Sequence, residues 1–393
     1  MFSKIIFYLK YSLLVAILVF CALSYNINET GDNNDSIKLL LYSTTIILFI
    51  LTVPKSKTIN QHIIFYWFIS IILASLLASL IYAILGVSTL YNEVQCLILP
   101  FILTLIGYNM KLPPNFIYTM CIVYGVSLIY AGYNQISYNI GGLIIEDQYI
   151  QTMAKNTYGA SVSTLITVLL LYVFNNKIQI WYKITFIGII ITLFTIILTL
   201  RARTAVVSLF CIVILMLFVY IYQGKMRSIL KYITICIVIL LISSIMFDIS
   251  YDSVTDYVYN SLFQNKEDDI TSGRVDGYIK AINVIADNPA FGRLSGHYES
   301  IPWVHNYILV NVSNYGIVGS ICFIALYAYI LIFLIQRCFN VDIPIHNNTG
   351  YWAVMVLFII SMAEPTLPYT PGTAVAFAYI SLGICLNKTN VNS

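Results

Sequence analysis

An all-helical, polytopic membrane bundle is the fold class this sequence predicts, and three observations predict it. Of 393 residues, 60% are apolar and only 9% are charged, where a soluble domain carries about 25% charged residues. The mean hydropathy is +0.85. Apolar runs of about 20 residues, the length that crosses the hydrocarbon of a bilayer, recur along the whole chain. So few charges cannot cover a water-facing surface of this size, which excludes a soluble enzyme. A net charge of +3 gives no basic field for nucleic acid.

Twelve runs read as membrane helices, at about 5–25, 37–53, 63–85, 94–110, 115–134, 156–174, 182–200, 204–222, 229–247, 305–335, 350–363 and 372–387. In the first, Lys4 and Lys10 precede an apolar stretch as in a signal peptide. No small-x-small cleavage site follows, and Cys21 lacks a lipid-attachment context, so this run reads as an uncleaved helix. The second, fourth and eleventh runs are short, and the tenth is long enough to be tilted or broken. The eight cysteines (Cys21, Cys96, Cys121, Cys211, Cys236, Cys322, Cys338, Cys385) show no C-x-x-C spacing and fall mostly inside these runs. They read as small buried apolar residues, not as a zinc site or a disulfide framework.

Orientation follows from the basic residues, which favour cytoplasmic loops. With the N-terminus inside, alternation places twelve of the 20 basic residues inside, and of the 17 acids only Asp342. Both termini are then cytoplasmic. The chain reads as a single integral membrane domain, 1–393, with one large outer loop at 248–304 and a smaller one at about 135–155. Any chemistry on a hydrophilic substrate is expected on the outer side, because the inner loops are too short to form a domain.

Within the large loop, Thr271-Ser272-Gly273-Arg274 opens a helical pattern. Val275, Ile279, Ile282 and Ala286 recur on one face and Asp276, Lys280, Asn283 and Asp287 on another. Thr271 or Ser272 caps its start and Pro289 lies beyond its end. The pattern predicts an amphipathic helix along the membrane surface, its apolar face against lipid or the bundle. Arg274 in the first turn either forms an anion site with the free N–H groups there or pairs with Asp268, Asp269 or Asp276.

Arg201 and Arg203 occupy the tight turn between two very apolar helices, on the side where basic residues are disfavoured. They either snorkel to lipid phosphates or hold a phosphate-bearing ligand that itself sits in the membrane. His305 follows Pro302-Trp303-Val304 and precedes Asn306, at the lip where the loop re-enters the membrane. A histidine there is either structural or a general base meeting a polar substrate. Glu364, before Pro365, is an acid at membrane depth and so a functional candidate, or a neutralising partner for one of the arginines. His62, His297 and His346 are weaker candidates. No two histidines have ligand spacing, and adjacent acids such as Asp268-Asp269 are usually solvated, so no metal site is expected.

Three segments together resemble the O-antigen polymerase and O-antigen ligase families. Leu198-Thr199-Leu200-Arg201-Ala202-Arg203-Thr204-Ala205 resembles their arginine turn between two membrane helices. Ser272-Gly273-Arg274-Val275, ending in Asn288-Pro289-Ala290-Phe291-Gly292, is similar to their periplasmic segment. His305-Asn306-Tyr307 with Asn314-Tyr315-Gly316-Ile317-Val318-Gly319 resembles the signature that follows. The likeness covers about 200–320; the first half matches in hydropathy alone.

The resemblance implies a multi-pass protein of the bacterial inner membrane, active on the periplasmic face, in lipopolysaccharide and other polysaccharide biosynthesis. It implies a glycosyltransferase using an undecaprenyl-diphosphate-linked oligosaccharide, without metal or other cofactor. Partners would be that lipid-linked glycan, membrane lipids and a chain-length regulator protein. The implied catalytic residues are Arg203 and Arg274, stabilising the leaving diphosphate, and His305, accepting the proton of the attacking hydroxyl. Arg201, Arg293, Asn306, Trp303 and Glu364 are the candidates for holding diphosphate or glycan. A polymerase is favoured over a ligase by the Asn/Ile/Tyr-rich composition. A flippase for the same lipid-linked unit is the reading from another class, disfavoured because charged candidates cluster at the outer face and no repeated halves are visible.

Overall fold

The computed structural model describes residues 2–25, 35–52, 62–142, 152–175, 177–200, 202–224, 230, 234, 237, 274–295, 304–340, 342–370 and 373–391. It is all-helical, with no strand among these residues. The helices are α1 (Phe2–Leu23), α2 (Asp35–Thr52), α3 (His62–Leu85), α4 (Thr89–Asn109), α5 (Pro114–Gly142), α6 (Thr152–Val173), α7 (Ile180–Thr199), α8 (Arg203–Tyr222), α9 (Arg274–Asp287), α10 (Tyr307–Cys338), α11 (Thr349–Ser361) and α12 (Ala376–Val391). Eight of them are long and apolar enough to cross a membrane: α1, α3 to α8 and α10. Shorter apolar helices are α2, α11 and α12. Each therefore falls on a run expected from hydropathy, while most of the expected run 229–247 lies outside the described residues.

Helix α6 is the central post of the bundle, with 89% of its span buried. It touches α7, α8 and α11 on its sides. Its hydroxylated residues Ser161, Ser163 and Thr164 are fully buried and return their hydroxyls to nearby carbonyls, as Thr164 does to that of Ser161 at 2.7 Å. Buried hydroxyls are tolerated because each can find a local acceptor. Helices α4, α11 and α12 approach closely where Gly107 faces Ile380, Gly383 faces Thr104 and Gly350 faces Ser381, backbone to backbone. Small residues permit such approach, which is how membrane helices gain packing when burial of apolar surface offers little drive.

Contacts between connecting segments join helix ends that alternation puts on one side. The Tyr25 hydroxyl, just past α1, donates to the Thr157 carbonyl near the start of α6 at 3.2 Å, and Gln135 near the end of α5 donates to the Tyr25 carbonyl at 3.0 Å. At the opposite end, Gln223 after α8 donates to the Ile343 carbonyl at 3.1 Å, and Asn348 donates to the Arg337 carbonyl at 2.8 Å.

The tenth expected run, 305–335, departs from a single membrane crossing. The backbone of α10 breaks at Gly316, with φ 66° and ψ −177°, and the chain doubles back. The rings of Tyr307 and Tyr327 stack with centroids 5.6 Å apart, whereas a straight helix would hold these positions about 30 Å apart. The element is thus a hairpin. A nine-residue arm, 307–315, runs against the first half of the arm 317–338. The second arm, about 33 Å long, suffices alone to cross about 30 Å of hydrocarbon.

The turn after α9 clamps this hairpin. Ile317 and Val318 donate backbone N–H groups to the carbonyls of Pro289 and Ala290, at 2.8 and 3.1 Å. A side chain at Gly316 would collide with the Ala290 carbonyl and the Phe291 nitrogen, and one at Gly292, also at positive φ, would meet the Ser313 carbonyl at 2.5 Å. Only glycine accommodates both the φ and the contact. Helix α9 runs beside the short arm: Tyr278 in its second turn donates to the His305 carbonyl at 3.0 Å, and its exit abuts Gly316.

The buried face of α9 differs from the expected one. Gly277, Ala281 and Val284 pack inward, and Val275, Ile279, Ile282 and Ala286 are exposed. Of the two supports expected for the apolar stripe, the bundle is not the one it meets among the described residues. The reason is steric: Gly277 and Ala281 let the helix lie close to the arm, which bulky β-branched residues prevent.

Candidate functional site

The short arm ends, at its inner tip, in His305 and Asn306. Asn306 caps the arm: its Oδ1 accepts from the N–H groups of Ile308 and Leu309, each at 3.0 Å. Its Nδ2 donates to the Met362 carbonyl at 3.3 Å, just past the end of α11. The stacking on Tyr327 sets the tip beside Met362 and so near the starts of α6 and α8, the helix ends that alternation puts on the outer side. His305 is partly exposed, with Nδ1 buried.

A second helix break meets the first at this point. Helix α11 has 13 residues, about 20 Å, too short for the hydrocarbon core, and residues 362–370 follow it without regular helix. Irregular backbone at such depth persists where it is packed in protein or lines a water-filled cavity. Its Glu364 is buried at 7% exposure. Asn156 of α6 donates to Glu364 Oε1 at 2.6 Å, and the Thr204 hydroxyl of α8 donates to the same oxygen at 3.4 Å. Thr204 follows Arg203, so Glu364 sits beside the start of α8. A buried carboxylate requires such donors, because an unpaired one would cost far more than the contacts return.

Below the tip lies a floor of buried rings. Tyr307 packs on Tyr327 and, edge-on at 5.8 Å, on Tyr369, which also meets Trp67 at 5.8 Å and Phe358 at 6.0 Å. The Tyr327 hydroxyl and Ser361 Oγ are 3.0 Å apart. Each ring pair adds about 0.5–1.5 kcal/mol beyond its area, enough to fix the depth at which the imidazole is presented.

Three elements thus converge. The hairpin tip brings His305 and Asn306, the start of α8 brings Arg203, and the 362–370 segment brings Glu364. The start of α9 lies close by, since position 274 is one helical turn before Tyr278 and on the same side of the helix by register. The side chain of Arg274 lies outside the described residues, as do Arg201, Trp303, His297 and the Asp268-Asp269 pair. Arg293 stands elsewhere, on the 3-10 turn Gly292–Ser295, within 3.5 Å of Asn314 Oδ1 near the outer bend of the hairpin. His346 belongs to the opposite end, in the turn Ile345–Asn347, and His62 opens α3.

Sequence reasoning missed three contributors. Asn156 opens an apolar run, where a polar residue is unremarked. Tyr278 falls outside both faces expected of its helix. Glu93, in the first turns of α4, accepts from the Tyr315 hydroxyl at 3.3 Å and faces the outer end of the short arm; its signal was an acid at the mouth of an apolar run.

What this arrangement offers is a cation-bearing helix start, a buried acid and an imidazole around one depth of the bundle. The pattern suits a reaction in which negative charge develops on a membrane-held group while a hydroxyl loses its proton. A search of curated proteins finds no match. Residues 187–324, which run from α7 through the hairpin bend and include Arg203, α9 and His305, match the family model described as O-antigen ligase, a match consistent with the O-antigen polymerase and ligase family.

Proposed function

We propose that this chain is an O-antigen, or surface-polysaccharide, polymerase. It joins undecaprenyl-diphosphate-linked oligosaccharide repeat units at the periplasmic face of the bacterial inner membrane, with both termini cytoplasmic. The observation that carries the reading is the meeting of the α8 start, the α9 start and the hairpin tip, all within the segment that matches the family model.

The chemistry follows from charge. A hydroxyl oxygen of the acceptor sugar attacks the anomeric carbon of the donor glycan. The bond from that carbon to the diphosphate breaks, its electron pair leaves on the diphosphate, and the configuration inverts. Diphosphate is already a good leaving group, so the protein's task is to stabilise its charge. Fixed cations in a site of low dielectric do this, each worth about 2.7–4 kcal/mol of barrier when preorganised. Arg203 and Arg274 take that role, with Arg201 beside them. His305 accepts the hydroxyl proton, the task for which imidazole is the side chain most often used in general-base catalysis. Asn306 and Glu364 hold the acceptor glycan and the α8 start in place. Arg293 and Trp303 contact glycan farther out.

A ligase, which moves the finished glycan onto lipid A–core, is the second reading, favoured by the description of the matched family model. Purified protein supplied with lipid-linked repeat units separates the possibilities. A ladder of lipid-linked products supports the polymerase. Product only on added lipid A–core supports the ligase. No product with either acceptor, alongside translocation of the lipid-linked unit in liposomes, overturns both in favour of a flippase.

A further inference from the structure

Helix α4 carries an acid that the transfer chemistry does not use. Glu93 lies in the first turns of a helix long and apolar enough to cross a membrane, and it is partly buried. An ionisable side chain in such a helix is costly and persists where it has a partner or a task. Its partner is modest. The Tyr315 hydroxyl donates to Oε1 at 3.3 Å, which fills one of about four lone-pair sites of a carboxylate. Among the described residues Glu93 forms no ion pair and no other hydrogen bond.

The residue before Tyr315 holds a base in a similar state. Asn314 Oδ1 accepts from Arg293 at 3.5 Å, which uses one of about five guanidinium N–H donors. Arg293 too is partly buried and without an ion pair among the described residues. Asn314 and Tyr315 end the short arm directly before the bend at Gly316. The backbone there is tightly packed: a side chain on Gly292, the residue before Arg293, would collide with the Ser313 carbonyl and the Gly316 nitrogen. Acid and base are therefore held at fixed places around one bend.

Chemistry narrows what the two can take together. A guanidinium only donates and a carboxylate only accepts. A metal cation would satisfy the acid alone, and a phosphate the arginine alone. A hydroxyl donates one proton and accepts through two lone pairs, so a polyol serves both at once. Position adds a length. The arm 307–315 spans about 13 Å, so the bend stands a short oligosaccharide's reach from His305, too far for the sugar that reacts there.

We propose that the outer bend of the hairpin is a subsite for the sugars of a repeat unit that do not react. Glu93, oriented by Tyr315, accepts from their hydroxyls, and Arg293 donates to them. Such contacts are the same before and during reaction, so they act on affinity and leave the chemical step alone. The subsite's role in selecting a repeat unit rests on the glycosyl-transfer reading; its binding of glycan does not.

The test measures binding without turnover. Oligosaccharide released by mild acid from the lipid-linked repeat units of the native host is mixed with the purified full chain in detergent. Saturation-transfer NMR then reads contact between protein and sugar protons. The parent should transfer saturation to the sugars. Glu93→Gln and Arg293→Gln should each lower that transfer several-fold, whereas Arg337→Gln, the same charge change at the far end of α10, should not. Parental transfer in Arg293→Gln or in a folded Glu93→Gln, none in the parent, or equal loss in Arg337→Gln would each overturn the subsite. Should Glu93→Gln unfold early, Arg293→Gln, on a different element, decides. With lipid-linked units and turnover, the variants at the bend should need several-fold more donor for half-maximal rate, with the maximal rate within about twofold. A lowered maximal rate at an unchanged half-maximal concentration would mark them as structural supports and sink the proposal. A parent that binds the oligosaccharide yet makes no product with either acceptor would instead remove the glycosyl-transfer reading and leave the glycan site standing.

Discussion

Tyr307 lies flat against Tyr327, 5.6 Å between ring centroids and 17° between ring planes, although 20 residues separate them in the chain. The stack fixes the hairpin and, through it, the depth of His305. The position of the imidazole is therefore set by aromatic packing and a glycine bend.

The first prediction concerns that bend. Gly316→Ala forces an alanine to φ 66° and ψ −177°, a region open essentially to glycine alone, at a cost of about 1–3 kcal/mol, and drives its methyl into the Ala290 carbonyl. The purified variant is expected to unfold at lower temperature than the parent, by several degrees. Equal thermal midpoints would show that the turn after α9 can retreat from the hairpin without loss.

Asn306 performs two tasks that substitution can separate. Asn306→Asp keeps the acceptor for the Ile308 and Leu309 N–H groups but loses the donor to Met362; Asn306→Ala loses both. The aspartate variant should retain nearly the parent stability and lose transfer activity, while the alanine variant loses about 1 kcal/mol in addition. Full activity in the aspartate variant would remove the Met362 contact from the working arrangement.

At the buried acid, Asn156→Asp would bring a second carboxylate to the 2.6 Å contact with Glu364. Two like charges at that distance cannot both ionise. The variant should be less stable than Asn156→Ser at neutral pH and should recover towards it as pH falls and one carboxyl takes up a proton. A thermal-shift series across pH, with both variants in one detergent, tests the sign. A pH-independent gap between them would contradict it.

For the chemistry itself, His305→Ala and Arg203→Ala should each reduce glycan transfer by at least about 100-fold at unchanged expression. Tyr278→Phe, which deletes one hydrogen bond to the His305 carbonyl, removes about 0.5–1.5 kcal/mol and should cost only several-fold. Near-normal product from His305→Ala in the ladder assay would remove it as the proton acceptor.

Hydropathy made the positions of the membrane helices legible, because crossing a bilayer imposes length and composition together. The starts of α3, α7 and α8 fall within two residues of the apolar runs. What could not be read was direction. An apolar run is the same whether the chain continues or reverses, so 305–335 read as one span, tilted or broken, with no reversal in it. Gly316 alone carried the difference, and only the contact with Ala290 explains it. The apolar stripe of α9 was visible for a related reason, yet its inward face was not, since Gly277 and Ala281 pack by being small and leave no mark on periodicity. Among site residues, Arg203, His305, Asn306 and Glu364 stood out as charged or polar side chains in apolar surroundings. Asn156 and Tyr278 act through single hydrogen bonds to residues far along the chain, which no local pattern encodes.

The clamp between α9 and the hairpin works as a ruler. Tyr278 is pinned to His305 at one end and Ala290 to Val318 at the other, so two strips of chain run side by side between shared endpoints. Neither strip can gain or lose a residue without sliding the imidazole past its partners. The clamp sets no count for the linker between the strips beyond the turn Gly292–Ser295, whose Arg293 is held at Asn314. Proteins built on this plan should therefore vary freely in the length of that linker and hardly at all in the lengths of the two strips, a numerical signature that can be sought even where no side chain is shared.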